Sequence, residues 1–350
     1  MSTAAVKTTQ VIIDLNKILN SSDVSEIEQM EIEFQTNGWC FVLLPPELIP
    51  NANLIDELSN FFKSDLGKSR HTQRSGIYGY SEVGHKEGIK LLTGDYFGEF
   101  ANKGLVPRTL VQPLNYLSQA FDAVSKRLIE LLDQNSVFQQ RPSLETLMEF
   151  ADLPLKEKHF GMLDVVSYFN KKNGFKPPKI GQTTKEVNCV PHYDPGLFSI
   201  SVLSTHEGLQ LKDMTTDEWI DGPLEPTVGV IWLGEAASKA SENRLQPGIH
   251  RVVYPQEANT RLTIWYEVCT TEQLRNISGE QKNQVMAGGT VVFQNLPGSA
   301  PMTVRPGETK LDFLKRVEGV SGLSMSKSGR LYYRLERHSI SYPRTDSNKE

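Results

Sequence analysis

The chain has 350 residues and a mass of 39.3 kDa, with 38% hydrophobic and 23% charged residues, a composition expected of a soluble globular chain with a real core. A formal net charge of −5 and a pI near 5.9 argue against a nucleic-acid partner, which a basic excess would mark. No run of 18 apolar residues occurs, so no membrane span is expected, and the first residues lack the apolar stretch of a signal peptide. Cys40, Cys189 and Cys269 are too scattered for a disulfide framework or a structural zinc site. The chain is therefore expected to be cytoplasmic and reduced.

In chain order, Asp23 with Glu26 resembles a capping pair, and Val24, Ile27, Met30 and Phe34 follow at helical spacing until Gly38. Trp39–Leu44 reads as a buried strand closed by Pro45 and Pro46. Residues 75–80 form a Gly-rich loop. The clearest helix covers 110–133, where Leu114, Leu117, Phe121, Val124, Leu128 and Leu131 step by threes and fours, with Pro113 expected in its first turn. The first 160 residues thus read as mostly helical. After about 160 come short strands separated by turns: Asp164–Phe169, Phe198–Leu203, Gly208–Leu211, Val228–Leu233, Arg251–Tyr254, Arg261–Val268, Thr290–Gln294 and Leu331–Leu335. Strands at this spacing imply a sandwich or barrel of antiparallel sheets. The expected organisation is an N-terminal helical region, 1–160, packed as one unit on a mainly β core, 161–350. The stretch 171–185, rich in lysine, is expected to be a loop.

Of seven histidines, His71, His85, His159 and His338 are not assigned to the site, and His206 reads as a surface residue. His192 and Asp194 lie two apart, so on an extended strand both side chains face one way. His250 opens a later predicted strand. Two imidazoles and one carboxylate on one side of a metal leave three positions open, the facial arrangement of non-haem Fe(II) oxygenases. Eleven residues beyond His250, Arg261 and Thr263 share a strand face. Arginine suits bidentate capture of a carboxylate, and the threonine hydroxyl can add a second bond.

The surrounding motifs resemble the iron(II)/2-oxoglutarate-dependent dioxygenases, in particular the branch of isopenicillin N synthase and the plant flavonoid and gibberellin oxidases. His192-Tyr-Asp194-Pro-Gly196 is similar to that family's His-x-Asp-x-Gly, and Gly208-Leu-Gln-Leu211 with Trp219 to its Gly-Leu-Gln strand and downstream Trp. His250-Arg-Val252 matches its His-Arg-Val, and Arg261-Leu-Thr263 stands where it has Arg-x-Ser. Tyr168 resembles the tyrosine of its Asn-Tyr-Tyr-Pro strand, and Asn37–Val42 its opening Gly-Phe-Phe-x-Val. The resemblance spans roughly 10–270. It implies a double-stranded β-helix (jelly roll) with flanking helices, His192, Asp194 and His250 as ligands of Fe(II), and 2-oxoglutarate held by Arg261, Thr263 and Tyr168. It also implies O2 as co-substrate, ascorbate as a stimulant, and oxidation of a C–H bond of a small molecule (hydroxylation, desaturation or ring closure) with release of succinate and CO2. Tyr78 and Tyr80 stand where relatives border the substrate, with packed surface tyrosines as the alternative reading; Arg251 reads as a structural ion-pair partner. Departures are Thr for Ser at 263, a His-to-Arg interval one residue longer than usual, a Lys-rich loop after Tyr168, and about 80 residues after Val268 that add strands or a lid beside the mouth. The Lys-rich loop favours an acidic substrate. Two alternatives stay open: an iron oxidase that uses no 2-oxoglutarate, of the isopenicillin N synthase or aminocyclopropane carboxylate oxidase type, and an inactive relative acting as a binding protein.

Overall fold

Two aspartates start the first helices. Asp14 accepts the N–H of Asn16 to open α1 (Leu15–Ser21), and Asp23 accepts those of Ser25 and Glu26 to open α2 (Val24–Thr36). Glu26 does not close the expected capping box. Only two residues separate the helices, so its carboxylate reaches back to the Asp14 N–H at 2.9 Å and to Lys17 Nζ at 2.8 Å. Ile27, Met30 and Phe34 are buried as their spacing predicts, while Val24 stays exposed. The computed structural model describes residues 10–64, 67–72, 79–83, 86–94, 104–169, 187–253 and 260–278, and beyond them the short strands 290–291, 323–325 and 331–333. The Lys-rich stretch 171–185 and Tyr78 lie outside the described residues.

Helix α3 (Ala52–Lys63) follows, capped by Asn51, and then the long α4 (Arg108–Gln134). Helix α4 begins earlier than its apolar stripe suggested. Pro113 therefore sits inside the helix rather than in its first turn, where its missing N–H interrupts the ladder. One face of α4 buries Leu110, Leu114, Leu117, Phe121, Val124, Leu128 and Leu131. Asp122 fixes its height on the sheet by accepting from Tyr266 Oη at 2.6 Å and Thr93 Oγ1 at 2.7 Å. The Phe121 and Tyr266 rings stack at 4.9 Å beside it. Among the described residues three shorter helices follow: α5 (Leu144–Phe150), α6 (Glu235–Ala240) and α7 (Thr271–Ser278). Arg244 ties α2 to the end of α4 through Glu31 and the Ser136 carbonyl.

The strands form an eight-stranded sheet and a five-stranded sheet. In chain order they are β1 (Ile12–Asp14), β2 (Trp39–Leu43), β3 (Gly79–Val83), β4 (Lys86–Gly94), β5 (His159–Phe169), β6 (Val187–Tyr193), β7 (Phe198–Ser204), β8 (Leu209–Lys212), β9 (Trp219–Asp221), β10 (Val228–Leu233), β11 (His250–Val253), β12 (Thr260–Val268) and β13 (Thr290–Val291). A separate hairpin pairs β14 (Leu323–Met325) with β15 (Leu331–Tyr333). The large sheet runs β1-β2-β10-β7-β12-β5-β4-β3 and the small one β13-β6-β11-β8-β9. The first 160 residues are thus less helical than expected, because they supply four strands of the large sheet. Strand β4 hides its alternation: Lys86 and Lys90 occupy one face, and Glu87, on the other, is buried in a pair with Lys68 at 2.6 Å.

The large sheet divides its residues by parity. On β12, Leu262, Ile264, Tyr266 and Val268 join the core beneath the helices, whereas Arg261, Thr263, Trp265 and Glu267 face the small sheet. Trp39, Phe41, Val230 and Trp232 meet Leu209 and Leu211 of β8 between the sheets, and Val166 and Tyr168 meet Val252 farther along. Two sheets closed over an inner core, with helices on one outer face, make the double-stranded β-helix.

Candidate metal centre

The two histidines come from neighbouring strands of the small sheet. His192 on β6 and His250 on β11 are directly paired in register, with ring centroids 4.2 Å apart. Asp194 follows one residue after β6 ends, in the connection to β7, and still presents Oδ1 to both rings: 3.7 Å to His192 Nε2 and 3.9 Å to His250 Nε2. The three ligand atoms lie within 4.8 Å of one another. The structure brings His192, Asp194 and His250 together, although Asp194 reaches its place from a turn rather than from the strand.

His250 and Asp194 are each oriented by a further partner. His250 Nδ1 lies 3.1 Å from the Gly248 carbonyl, which fixes the proton on Nδ1 and turns the Nε2 lone pair toward Asp194. Asp194 Oδ2 accepts from Trp232 Nε1 at 2.6 Å and from Ser199 Oγ at 2.8 Å, so Oδ1 alone faces the histidines. Trp232 also packs its ring 4.5 Å from that of His250. Burial disfavours the Asp194 carboxylate, but the two imidazoles and the bonds from Trp232 and Ser199 outweigh it and hold the carboxyl below its ordinary range. Burial, with His192 alongside, pushes His250 down to about 4, so its imidazole is neutral and able to ligate at pH 7. Gly196 completes the turn because no side chain fits there: a Cβ would come within 2.4 Å of the Val268 carbonyl. Its N–H donates to Glu267 Oε1 at 2.9 Å.

Farther along the inner face, Arg261 is 1% exposed. Its Nε donates to the His206 carbonyl and its Nη2 to Ser204 Oγ at 2.7 Å, while Nη1 is buried without a partner among the described residues. Its stem passes Gly208, which has φ +140°; a Cβ there would sit 3.2 Å from Arg261 Cδ. Tyr168 pairs with Arg261 in register, and the guanidinium lies 5.4 Å from its ring centre. Thr263 shares the face, yet its hydroxyl donates to the Leu203 carbonyl at 2.7 Å. Tyr80 is turned the other way. It pairs with Ile89, packs on Phe61 of α3, and donates to Glu87, on the helix side of the sheet. Arg251 lies 4.0 Å above the Trp219 ring, donates to Gln210 Oε1 at 2.9 Å, and is within reach of the Asp221 charge. A cavity of about 260 Å³ lined by Ser201, Ser204, Leu209, Leu224 and Val228 opens beside Ser204, not over the histidines.

Sequence reasoning missed Ser199, Trp232, Ser204 and the inner pair Lys90–Asp164, which lies against Trp265. The segment after Val268 reaches the site as well, since Val291 of β13 pairs with His192.

Residues 165–270 match the family model described as the 2OG-Fe(II) oxygenase superfamily. That segment, which contains all three converging ligands and Arg261, belongs to this superfamily. The 2-oxoglutarate-dependent dioxygenase citB of Monascus ruber is 30% identical over 84 residues, 24% of either chain. The protein thus spans about a quarter of the length of the curated relatives it matches. Among solved structures, the dioxygenase for auxin oxidation 1 of Arabidopsis thaliana, in complex with 2-oxoglutarate, superposes with a TM-score of 0.59 at 17% identity, covering 79% of this chain and 96% of that one. The dioxygenase for auxin oxidation of rice gives 0.57 at 16% identity, covering 76% and 85%. At these identities the likeness is one of fold. Among the described residues no helix is long and apolar enough to cross a membrane.

Proposed function

We propose that the protein is an Fe(II)- and 2-oxoglutarate-dependent oxygenase that oxidises an unactivated C–H bond of a small molecule and releases succinate and CO2. One observation carries this reading: the converging His192, Asp194 and His250 share the space between the sheets with a buried guanidinium that has one nitrogen unpartnered among the described residues. The residues fit both groups the superfamily name implies. Two neutral imidazole nitrogens and one carboxylate oxygen suit ferrous iron and leave positions open. A buried, unsatisfied Arg261 Nη1 wants an anion, and a dicarboxylate offers one.

His192, Asp194 and His250 would hold the metal, and Arg261 would fix the far carboxylate of 2-oxoglutarate. Iron with 2-oxoglutarate and O2 supplies the oxidising power for C–H cleavage. The protein's own part is placement and exclusion of water. Trp232 and Ser199 lock the Asp194 carboxylate so that one oxygen is presented. Trp265 and the Lys90–Asp164 pair line the interior between the metal ligands and Arg261, and form the wall that the substrate meets. The free thiols suit a cytoplasmic setting.

Anaerobic titration of the protein with Fe(II) and then 2-oxoglutarate tests the reading. A weak visible charge-transfer band, followed in air by succinate release that a screened small molecule stimulates, is the expected result. Substrate turnover that consumes O2 without forming succinate would replace it with the oxidase that uses no 2-oxoglutarate.

A further inference from the structure

We propose that Ser204, not Thr263, supplies the hydroxyl that captures the distal carboxylate of 2-oxoglutarate together with Arg261; this rests on the function proposed above. A hydroxyl has one proton to give. Thr263 gives its proton to the Leu203 carbonyl at 2.7 Å, so toward a carboxylate it offers only lone pairs. Ser204 is in the opposite state. Its Oγ accepts from Arg261 Nη2 at 2.7 Å, and its own proton meets no acceptor among the described residues. The unpartnered Nη1 belongs to the same guanidinium, so one carboxylate can draw on Nη1 and on the serine O–H.

The backbone shows why Ser204 is in position. Strands β7 and β12 pair Thr263 with Ser204 and Ile264 with Leu203, then Trp265 with Ser201. Val202 is the extra residue of a β-bulge. Ser199 and Ser201 face the small sheet while Ile200 and Val202 lie in the core beneath the helices. Unbroken alternation would send Ser204 outward with them. The bulge reverses the parity after Val202 and delivers the serine to the guanidinium, at the edge of the 260 Å³ cavity it lines. Gly208 leaves the room for the Arg261 stem that this meeting requires.

Calorimetric titration of the anaerobic Fe(II)-loaded protein measures the affinity directly, without turnover. The two ligands are 2-oxoglutarate and 2-oxobutanoate, which keeps the 2-oxo acid end but lacks the distal carboxylate. Ser204→Ala is expected to weaken 2-oxoglutarate by at least about tenfold and leave 2-oxobutanoate within about twofold, whereas Ser204→Thr restores most of the loss. Thr263→Val is expected to lower the melting temperature but to hold 2-oxoglutarate within about twofold of wild type. A tenfold loss in Thr263→Val with Ser204→Ala unaffected overturns the assignment, as does an equal loss of both ligands in Ser204→Ala. Failure of the wild-type protein to bind 2-oxoglutarate at all overturns the function proposed above instead.

Discussion

Replacing Trp232 by phenylalanine isolates the bond that orients the metal-facing carboxylate. The Trp232 indole N–H donates to Asp194 Oδ2 at 2.6 Å, and both residues are buried, 3% and 6% exposed. A charge-assisted bond of this kind contributes about 1.5–3 kcal/mol to the ionised carboxylate. Phenylalanine keeps an aromatic ring beside His250 but offers no donor, leaving Ser199 alone on Oδ2. Two consequences follow. The Asp194 carboxyl, held low in the wild type, rises, so protons compete better with the metal and metal loading is lost at a higher pH on acidification. The expected upward move of the loading midpoint is about one pH unit. The carboxylate also gains freedom to rotate, and loss of such an outer partner lowers metal affinity about 10–100-fold. Co(II) titrations followed by visible absorption from pH 5 to 8 read both effects, with thermal melting to establish that the variant is folded. An unchanged midpoint together with an unchanged affinity would refute the idea that Trp232 tunes this ligand.

Burial and the neighbouring Asp194 push the Glu267 carboxyl up to about 8, so it is protonated in the native state where an unfolded chain would ionise it. Its contribution is complete below the unfolded value and is lost as pH rises to about 8, at up to about 1.4 kcal/mol per pH unit in that window. Glu267→Gln should therefore flatten the fall in melting temperature of metal-free protein between pH 5 and 8; parallel curves would mean that the native carboxyl is charged. Arg261→Lys keeps a cation but gives up the guanidinium fork, and should raise the KM for 2-oxoglutarate at least about tenfold with Fe(II) affinity little changed. If both constants move together, Arg261 supports the fold rather than the co-substrate. Metal at a hundred times its Kd should stabilise the wild type by about 2.7 kcal/mol, and chelation should reverse this; Asp194→Ala should melt at a single temperature with or without metal, and a metal-dependent melt in that variant would move the ligand set elsewhere.

The converging His192, Asp194 and His250 were legible because chemistry fixes the residue types a metal would need and the strand fixes their spacing. His192 and Asp194 lie two apart in a near-extended segment, and the motif around His250 starts its own strand. Their supports were not legible. Trp232 reaches Asp194 across 38 residues and Ser199 across a turn, and each reads by itself as an ordinary core or strand residue. Strand pairing accounts for much of the rest. Tyr80 faces the helices because its register partner is Ile89, and the bulge at Val202 reverses the face of Ser204 in a way that period-two reasoning cannot anticipate. Strand β4 escaped because a buried ion pair on each face breaks its apolar alternation. Thr263 was placed on the correct face, but which acceptor takes a hydroxyl proton depends on a backbone carbonyl two strands cannot reveal from their sequences.

The division of labour between the sheets explains why Asp194 sits in a turn. Both imidazoles belong to the small sheet, whose strands β6 and β11 hold them in register. The carboxylate lies on the connection from the small sheet to the large one, and its orienting donors, Ser199 and Trp232, belong to large-sheet strands β7 and β10. Gly196 is bound to Glu267 of β12, so the same turn is fastened to a third large-sheet strand. Arg261, on β12 too, takes its bearing from Ser204 on β7. A metal held by His192, Asp194 and His250 would therefore connect the sheets at one point, and Arg261 would hold a carboxylate from the large sheet. Opening of the two sheets would separate the imidazoles from the carboxylate, which makes the ligand geometry a direct reporter of how tightly the jelly roll is closed.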